Sequence, residues 1–204
     1  MASAGTLHDA FIDELRDVYH AEKQITKALP KMIKAATSDE LRQAFETHLD
    51  ETKTQIGRLE EVFASLDEKV KAKKCDGMAG IIEEGSSAMG EDFDEPTMDA
   101  ALIASAQRVE HYEMAAYGTL VAWAEAMGHT EAAELLQTTL DEEKATDEKL
   151  TELADGGINR EAAAAAHPEE EEDEEEAPAV PVRAASRGRA KTAAAPARSS
   201  AGRR

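Results

Sequence analysis

Four long stretches of the chain carry apolar residues at intervals of three and four positions, which is the spacing of one face of an α-helix. The four stretches are 7–32, 41–66, 102–127 and 136–154. Ser38 is a good cap before the second stretch, and Gly128 is a typical stop after the third. The first and second stretches are separated by a short connection, as are the third and fourth, so each pair should form an antiparallel hairpin.

A longer segment, residues 67–96, joins the two hairpins. Within it, residues 76–88 place Met78, Ile81 and Ile82 on one side and predict a short helix. One long crossover between two tight hairpins is the connectivity of ferritin-like bundles. The sequence therefore predicts an all-α fold, a ferritin-like four-helix bundle with a short fifth helix in its crossover. Pro30 falls inside the first stretch, where a kink or a break is possible.

The composition changes near residue 160. Residues 169–176 are an unbroken run of acids, and residues 177–204 carry seven basic residues and no acid. A segment made of Ala, Pro, Ser, Gly and charged residues cannot bury enough apolar surface to offset its chain entropy. We therefore expect a helical domain over residues 1–159 and a disordered tail over residues 160–204.

Charge and cysteine content narrow the class of protein. The formal net charge of −20 argues against nucleic acid as a partner of the helical domain. The single cysteine, Cys75, excludes an internal disulfide and fits a reducing compartment. We find no apolar run of the roughly 18 residues that a membrane helix needs, and no secretory signal at the start. The sequence predicts a cytoplasmic protein without a membrane span.

Each apolar stretch is interrupted near its middle by a carboxylate or an imidazole on the face that should be core. The interrupting residues are Glu22, His48, Glu113, and Glu143 with Asp147; Glu51 and Glu110 lie one turn from His48 and Glu113. A single residue of this kind is usually a boundary residue or a hydrogen-bonded core residue. A buried carboxylate without a partner costs several kcal/mol, however, and two divalent cations would supply partners for all of them. Interruptions at matching depth in four helices therefore predict a site for a pair of metal ions.

An internal similarity supports a paired site but leaves one ligand open. Residues 47–53 resemble residues 138–144, as expected for two related hairpins. This match aligns Glu51 with Glu142, whereas the apolar stripe of the fourth helix selects Glu143. The side of the helix on which a residue lies decides whether it is buried. Glu143 is therefore the predicted ligand, and Glu142 is the alternative.

Several motifs resemble the YciF-like family of ferritin-like, rubrerythrin-related di-iron carboxylate proteins. They are His-Leu-Asp-Glu-Thr at 48–52, Val-Glu-His-Tyr-Glu at 109–113, Tyr-Gly-Thr-Leu at 117–120, Glu-Glu-Lys-Ala-Thr-Asp at 142–147, Lys-Cys-x-x-Met at 74–78 and Ile-Ile-Glu-Glu-Gly at 81–85. The resemblance covers residues 7–155. It implies a ferritin-like bundle, a homodimer and a role in the bacterial stress response.

The residues of this chain match the metal-ligand pattern of ferritin-like proteins in part. Their best-known pattern places Glu on helices one and three and Glu-x-x-His on helices two and four. Glu22 fits the first position, and Glu110-x-x-Glu113 resembles rubrerythrins, which have two glutamates on helix three. On helix two the order of Glu and His is reversed, and on helix four an Asp stands where a His is common. The resulting oxygen-rich site implies iron, two ions per chain, with manganese as the alternative.

Two functions of different classes follow. The first is a redox protein of the ferroxidase or peroxidase type, in which the metal pair reacts with oxygen or peroxide, or handles iron. Tyr19 or Tyr112 would supply an electron or a proton, although both also fit as core aromatics. The second is a non-catalytic stress-related scaffold whose basic tail contacts DNA phosphates or another polyanion. The same tail would alternatively neutralise the adjacent acidic run.

Overall fold

The computed structural model describes residues 5–166. The helices are α1 (Leu7–Ala35), α2 (Asp39–Ser65), α3 (Asp76–Ala88), α4 (Glu95–Met127), α5 (Thr130–Leu153) and α6 (Asn159–Ala166), with a π-helical turn at Ala154–Ile158. No strand occurs within residues 5–166. The predicted all-α fold is confirmed, with α1, α2, α4 and α5 in the four periodic stretches and α3 in the crossover.

The four long helices form a closed ring. α1 packs on α2 and α4 packs on α5, as the short connections require, while contacts of α2 with α5 and of α1 with α4 complete the bundle. The crossover helix α3 lies against α4 and α1. This is the predicted ferritin-like bundle of two antiparallel hairpins.

Local signals set the ends of the helices. The Ser38 side chain accepts a hydrogen bond from the backbone N–H of Leu41 at the start of α2. Gly128 ends α4 in the left-handed region, with φ of 76°, where glycine carries no steric penalty. Pro30 does not break α1, which runs through it without interruption to Ala35. Proline has no backbone N–H, so the helix lacks the hydrogen bond that this residue would otherwise donate.

The buried apolar residues form two separate clusters. One cluster contains Phe11, Leu15, Phe63, Leu120 and Leu136, among others. The second contains Ile25, Leu41, Phe45, Leu102 and Leu150, among others. Along each long helix the two clusters occupy opposite halves, so the middle of the bundle belongs to neither. The residues that interrupt the apolar stripes lie in that middle layer.

Helical structure extends slightly beyond the predicted domain boundary. Residue 159 is the first residue of α6, which continues to Ala166. The rest of the predicted tail, with its acidic run at 169–176 and basic segment at 177–204, lies outside the described residues. Within residues 5–166 we find no helix long and apolar enough to cross a membrane.

A buried aspartate joins the first hairpin to the second. Asp99 of α4 is 3% exposed and accepts hydrogen bonds from the backbone N–H groups of Thr37 and Ser38, each at 2.8 Å. The Thr37 hydroxyl donates a third bond at 2.6 Å. Three donors on one carboxylate hold the α1–α2 turn against the start of α4.

We expect Asp99→Ala to lower the free energy of unfolding by about 3 kcal/mol, because two backbone donors lose a charged acceptor in a largely buried place. Asp94→Ala is the matched control. It removes an exposed N-cap of the same helix and should lower stability by about 1 kcal/mol. Urea denaturation of the full chain measures both values. Equal losses in the two variants would show that Asp99 acts only as a local residue of α4.

Candidate metal centre

Five polar side chains fill the layer between the two apolar clusters. They are Glu22 from α1, His48 from α2, Glu110 and Glu113 from α4, and Glu143 from α5. Each is 3% exposed or less. Four of them were predicted from the interrupted apolar stripes, and Glu110 was predicted as an edge residue one turn from Glu113. Whether they bind metal stays a prediction, but their burial at one level of the bundle is as expected.

Four of these residues come close enough to one another to contact a single metal ion. His48, Glu110, Glu113 and Glu143 each offer one nitrogen or oxygen atom, and these four atoms all lie within 4.8 Å of one another. His48 Nε2 lies 3.3 Å from Glu110 Oε1. Three helices thus converge on one point with carboxylate and imidazole groups, which are common metal ligands.

The polar atoms of this layer are poorly satisfied by the protein. Buried polar groups normally have hydrogen-bond partners, and an unsatisfied one costs about 1–3 kcal/mol or more. Eight side-chain atoms of the five residues have no hydrogen-bond partner within the described part of the chain. They are Glu22 Oε2, His48 Nδ1 and Nε2, Glu110 Oε2, and both carboxylate oxygens of Glu113 and of Glu143. Oxygen and nitrogen lone pairs that converge on one place without hydrogen-bond donors form a suitable site for a cation.

Burial shifts the protonation of the carboxylates in one direction. Loss of hydration raises the pKa of Glu143 to about 7. It raises the pKa values of Glu22, Glu110 and Glu113 well above the usual value for glutamate. Negative charge on neighbouring carboxylates adds to burial, since Glu143 raises the pKa of Glu22 and Glu22 raises that of Glu113. The carboxylates therefore repel one another when ionised.

The imidazole is prepared as a ligand by the same burial. Loss of hydration lowers the pKa of His48 to about 4, so the ring is neutral at physiological pH. A neutral imidazole keeps a nitrogen lone pair free for a metal ion, whereas a protonated one does not.

Tyr117 touches this layer, and the sequence reasoning missed it as a functional residue. It is fully buried on α4, and its hydroxyl donates a hydrogen bond to Glu22 Oε1. The signal was available, because Tyr117 follows Glu113 by four positions and so lies on the same helix face. An aromatic residue in an apolar stripe looks like ordinary core, which is why this signal is weak.

The two tyrosines chosen from the sequence bond to groups outside the five-residue layer. The Tyr19 hydroxyl donates to Glu60 Oε1 at 2.8 Å. The Tyr112 hydroxyl donates to Asp17 Oδ2 at 3.2 Å and lies 3.1 Å from the sulfur of Cys75. Neither hydroxyl is bonded to a buried carboxylate of the layer. Their assignment as electron or proton donors therefore gains no support from these contacts.

Glu142 and Glu143 are neighbours on α5, but they lie on different sides of the helix and differ in burial. Glu143 is fully buried, whereas Glu142 is part-exposed and carries a bidentate ion pair with Arg58, both N–O distances being 2.8 Å. Gln55 also donates to Glu142, at 3.1 Å. Glu142 thus has partners of its own. The apolar stripe was a better guide to burial than the internal similarity.

Glu51 and Asp147 lie at the edge of the layer and are not among the four convergent residues. The Glu51 side chain is 40% exposed and lies 4.0 Å from His48 Nδ1. The Asp147 side chain is 22% exposed and accepts a hydrogen bond from Gln107 at 3.2 Å. Glu51 thus lies at the edge, where it was predicted, whereas Asp147, predicted on the core face with Glu143, is part-exposed. Whether either residue binds metal stays a prediction.

An open cleft connects the layer to solvent. It has a volume of about 680 Å³, lies between α2 and α5, and reaches His48 and Glu110. Besides Glu110, three acids line it, Asp39, Glu40 and Glu51, against one basic residue, Lys149. Their negative charge attracts small cations towards the buried ligands.

The raised pKa values predict how pH affects the metal-free protein. A carboxylate that keeps its proton in the fold stabilises the fold at low pH, and this contribution is lost as pH rises through its folded pKa. His48, whose pKa is lowered, acts in the opposite direction, but chiefly below its ordinary value of 6.5. The melting temperature of the metal-free chain should therefore fall as pH rises from about 6.5 through about 7, the pKa of Glu143 in the fold, and further as the other three carboxylates lose their protons.

Glu143→Gln should reduce that fall, because it removes the group whose pKa is about 7. Calorimetry in the presence of a chelator measures the effect. A melting temperature that rises over this pH range, or one whose fall is unchanged by the substitution, would contradict the buried-carboxylate explanation.

Comparisons with known proteins agree with the fold and with the motifs. Protein YciF of Escherichia coli (strain K12) is 49% identical over 158 residues, which cover 77% of this chain and 95% of that protein. The crystal structure of the Escherichia coli stress protein YciF matches with a TM-score of 0.74 and covers 77% of this chain and 99% of that one. YcfI from Rhodopseudomonas palustris is 48% identical with a TM-score of 0.72, over 74% of this chain and 96% of that one.

A more distant structure, a protein from Xanthomonas campestris pv. campestris, shares the fold at 20% identity with a TM-score of 0.61. The family model described as "Domain of unknown function (DUF892)" matches residues 6–163, most of the chain. The chain therefore belongs to this family, together with the YciF-like proteins.

Proposed function

We propose that the protein is a di-metal carboxylate protein that holds two divalent ions, iron in the first place, in the middle layer of its bundle. The observation that carries the proposal is the convergence of His48, Glu110, Glu113 and Glu143 within 4.8 Å, with most of their polar atoms unpartnered within the described chain. Groups of this kind are stable in a protein interior when a cation binds them.

Charge balance favours two ions over one. Four buried carboxylates, those of Glu22, Glu110, Glu113 and Glu143, bring a charge of −4 when ionised. His48 is neutral and adds nothing. Two divalent cations neutralise this charge completely, whereas one leaves two negative charges in a dry interior, which is costly.

The donor set favours iron or manganese among the biological cations. One imidazole and several carboxylates suit Fe²⁺ and Mn²⁺, while thiolate-rich sites select softer ions. The one cysteine, Cys75, lies elsewhere, with its sulfur bonded to Tyr112 and to the backbone of Met78. Iron is our first choice because a di-iron site fits the ferritin-like fold.

When bound, a pair of ferrous ions supplies two electrons, enough to reduce dioxygen with two protons to hydrogen peroxide, or hydrogen peroxide with two protons to two waters. The protein's own residues prepare the place for this. Tyr117 holds a proton at its hydroxyl and orients Glu22 through Oε1, leaving Oε2 free. Arg58 holds Glu142 beside the layer, and the apolar clusters on both sides exclude water.

The biological setting that we propose is defence against stress within the cytoplasm. The Escherichia coli relative is named a stress protein. Chemistry with oxygen or peroxide, or the handling of iron, fits such a role. The alternative of DNA contact through the basic tail concerns residues beyond 166 and stays a prediction, as does the homodimer.

Metal titration tests this proposal. The full-length chain, stripped and reloaded without oxygen, should hold two Fe²⁺ ions by elemental analysis, and metal should raise its melting temperature by mass action. Glu143→Gln should weaken binding by more than about 100-fold, since even indirect partners of a metal site are worth about 10–100-fold. Glu142→Gln should weaken it by about 10-fold, the low end of the range for an indirect partner.

The metal-free state provides the control. Glu143→Gln should raise the melting temperature there, because it removes one of four mutually repelling carboxylates. Glu142→Gln should lower it, because it breaks the ion pair with Arg58. A chain that takes up no Fe²⁺ or Mn²⁺, or a site emptied by Glu142→Gln and not by Glu143→Gln, would refute the assignment.

A further inference from the structure

A second opening reaches the same layer from the other side of the bundle. It is a narrow crevice of about 40 Å³ between α1, α3 and α4. Its lining includes exposed Lys31 and Ser86 as well as buried His48 and Glu110. The crevice therefore spans the distance from the surface to the candidate metal ligands. His48 and Glu110 also line the acidic cleft, so they lie between the two openings.

The wall of the crevice is apolar. Six large apolar side chains supply most of it: Ile25, Leu29, Met32, Ile81, Ile82 and Val109. The hydroxyl of Ser105, which also lines the crevice, is already bonded to the backbone carbonyl of Ala101 at 2.9 Å. A water molecule needs two to four polar partners, and an apolar space of this kind tends to stay dry. The wall between the surface and the ligands thus favours a small apolar molecule over water or an ion.

The size of the crevice limits what it can hold. Its volume is about three times what a single water requires, so it fits a molecule of two or three heavy atoms and nothing much larger. The crossover helix α3 covers it closely. A Cβ atom on Gly85 would lie 3.4 Å from the Cβ of Ser105 on α4, so the two helices leave little spare room at this point.

We propose that this crevice is the docking site and the route by which dioxygen reaches the buried ligands. The inference rests on the proposed function. Dioxygen is a small apolar molecule of the right size, and its path is separate from the acidic cleft, which suits cations. Hydrogen peroxide is polar and should reach the ligands through the wider, open cleft instead. The two openings thereby separate the two kinds of oxidant.

Xenon is the probe for the docking site, since it enters dry apolar cavities without needing metal. In methyl NMR spectra of the metal-free full-length chain, xenon pressure should shift the methyl signals of Ile25, Ile81, Ile82 and Val109. Ala28→Leu puts a larger side chain into the crevice wall and should abolish these shifts. Ala35→Leu, a part-buried alanine of the same helix that is not among the crevice-lining residues, should preserve them. A thermal melt checks that both variants fold.

The route itself is tested on the ferrous-loaded protein. Ala28→Leu should lower the rate of oxidation by dioxygen at least about tenfold relative to the rate with hydrogen peroxide, and Ala35→Leu should leave that ratio unchanged. Xenon shifts that are absent from the crevice, or that persist in Ala28→Leu, overturn the docking site. An unchanged ratio of the two rates overturns the route. If the chain takes up no iron, the proposed function fails, while the xenon result still decides whether the crevice binds small apolar molecules.

Discussion

The burial of four carboxylates around one imidazole is the constraint on which the rest of the structure depends. Ionised carboxylates in a dry interior repel one another and lose their hydration, and burial accordingly raises the pKa values of all four. A fold that keeps them buried needs either protons or cations in the same layer. We infer that cations meet this need, because eight polar atoms of the five residues are left without hydrogen-bond partners in the described chain.

Apolar packing on both sides holds the polar layer in place. Two apolar clusters lie on either side of the polar layer, and each is built from all four long helices. Hydrophobic burial at both ends thus holds the carboxylates in place against their mutual repulsion.

Much of this arrangement could be predicted from the sequence, because burial on a helix follows a period of 3.6 residues. The interrupted stripes located Glu22, His48, Glu113 and Glu143, all of which are buried. The edge positions could not be predicted in the same way. Glu110 and Glu51 each lie one turn from a buried residue, yet only Glu110 is buried.

The difference between these two edge residues comes from the neighbouring helices. α3 packs against α4 in addition to α1 and α5, and Glu110 is 1% exposed although it lines both openings, whereas Glu51 of α2 lies at the exposed edge of the cleft. The periodicity of one helix gives no information on which neighbouring helices cover its edges. The contact of Tyr117 with the layer could not be predicted for a related reason. Only the packed structure shows that its hydroxyl donates a hydrogen bond to Glu22.

The most direct test of the central claim is anomalous X-ray diffraction from crystals of the iron-loaded protein, recorded on both sides of the iron absorption edge. We predict two anomalous peaks per chain, about 3.5–4 Å apart as in other two-metal sites, both in contact with the His48, Glu110, Glu113 and Glu143 group. Crystals that take up iron only at the acidic surface, with no anomalous peak among these four side chains, would contradict the account.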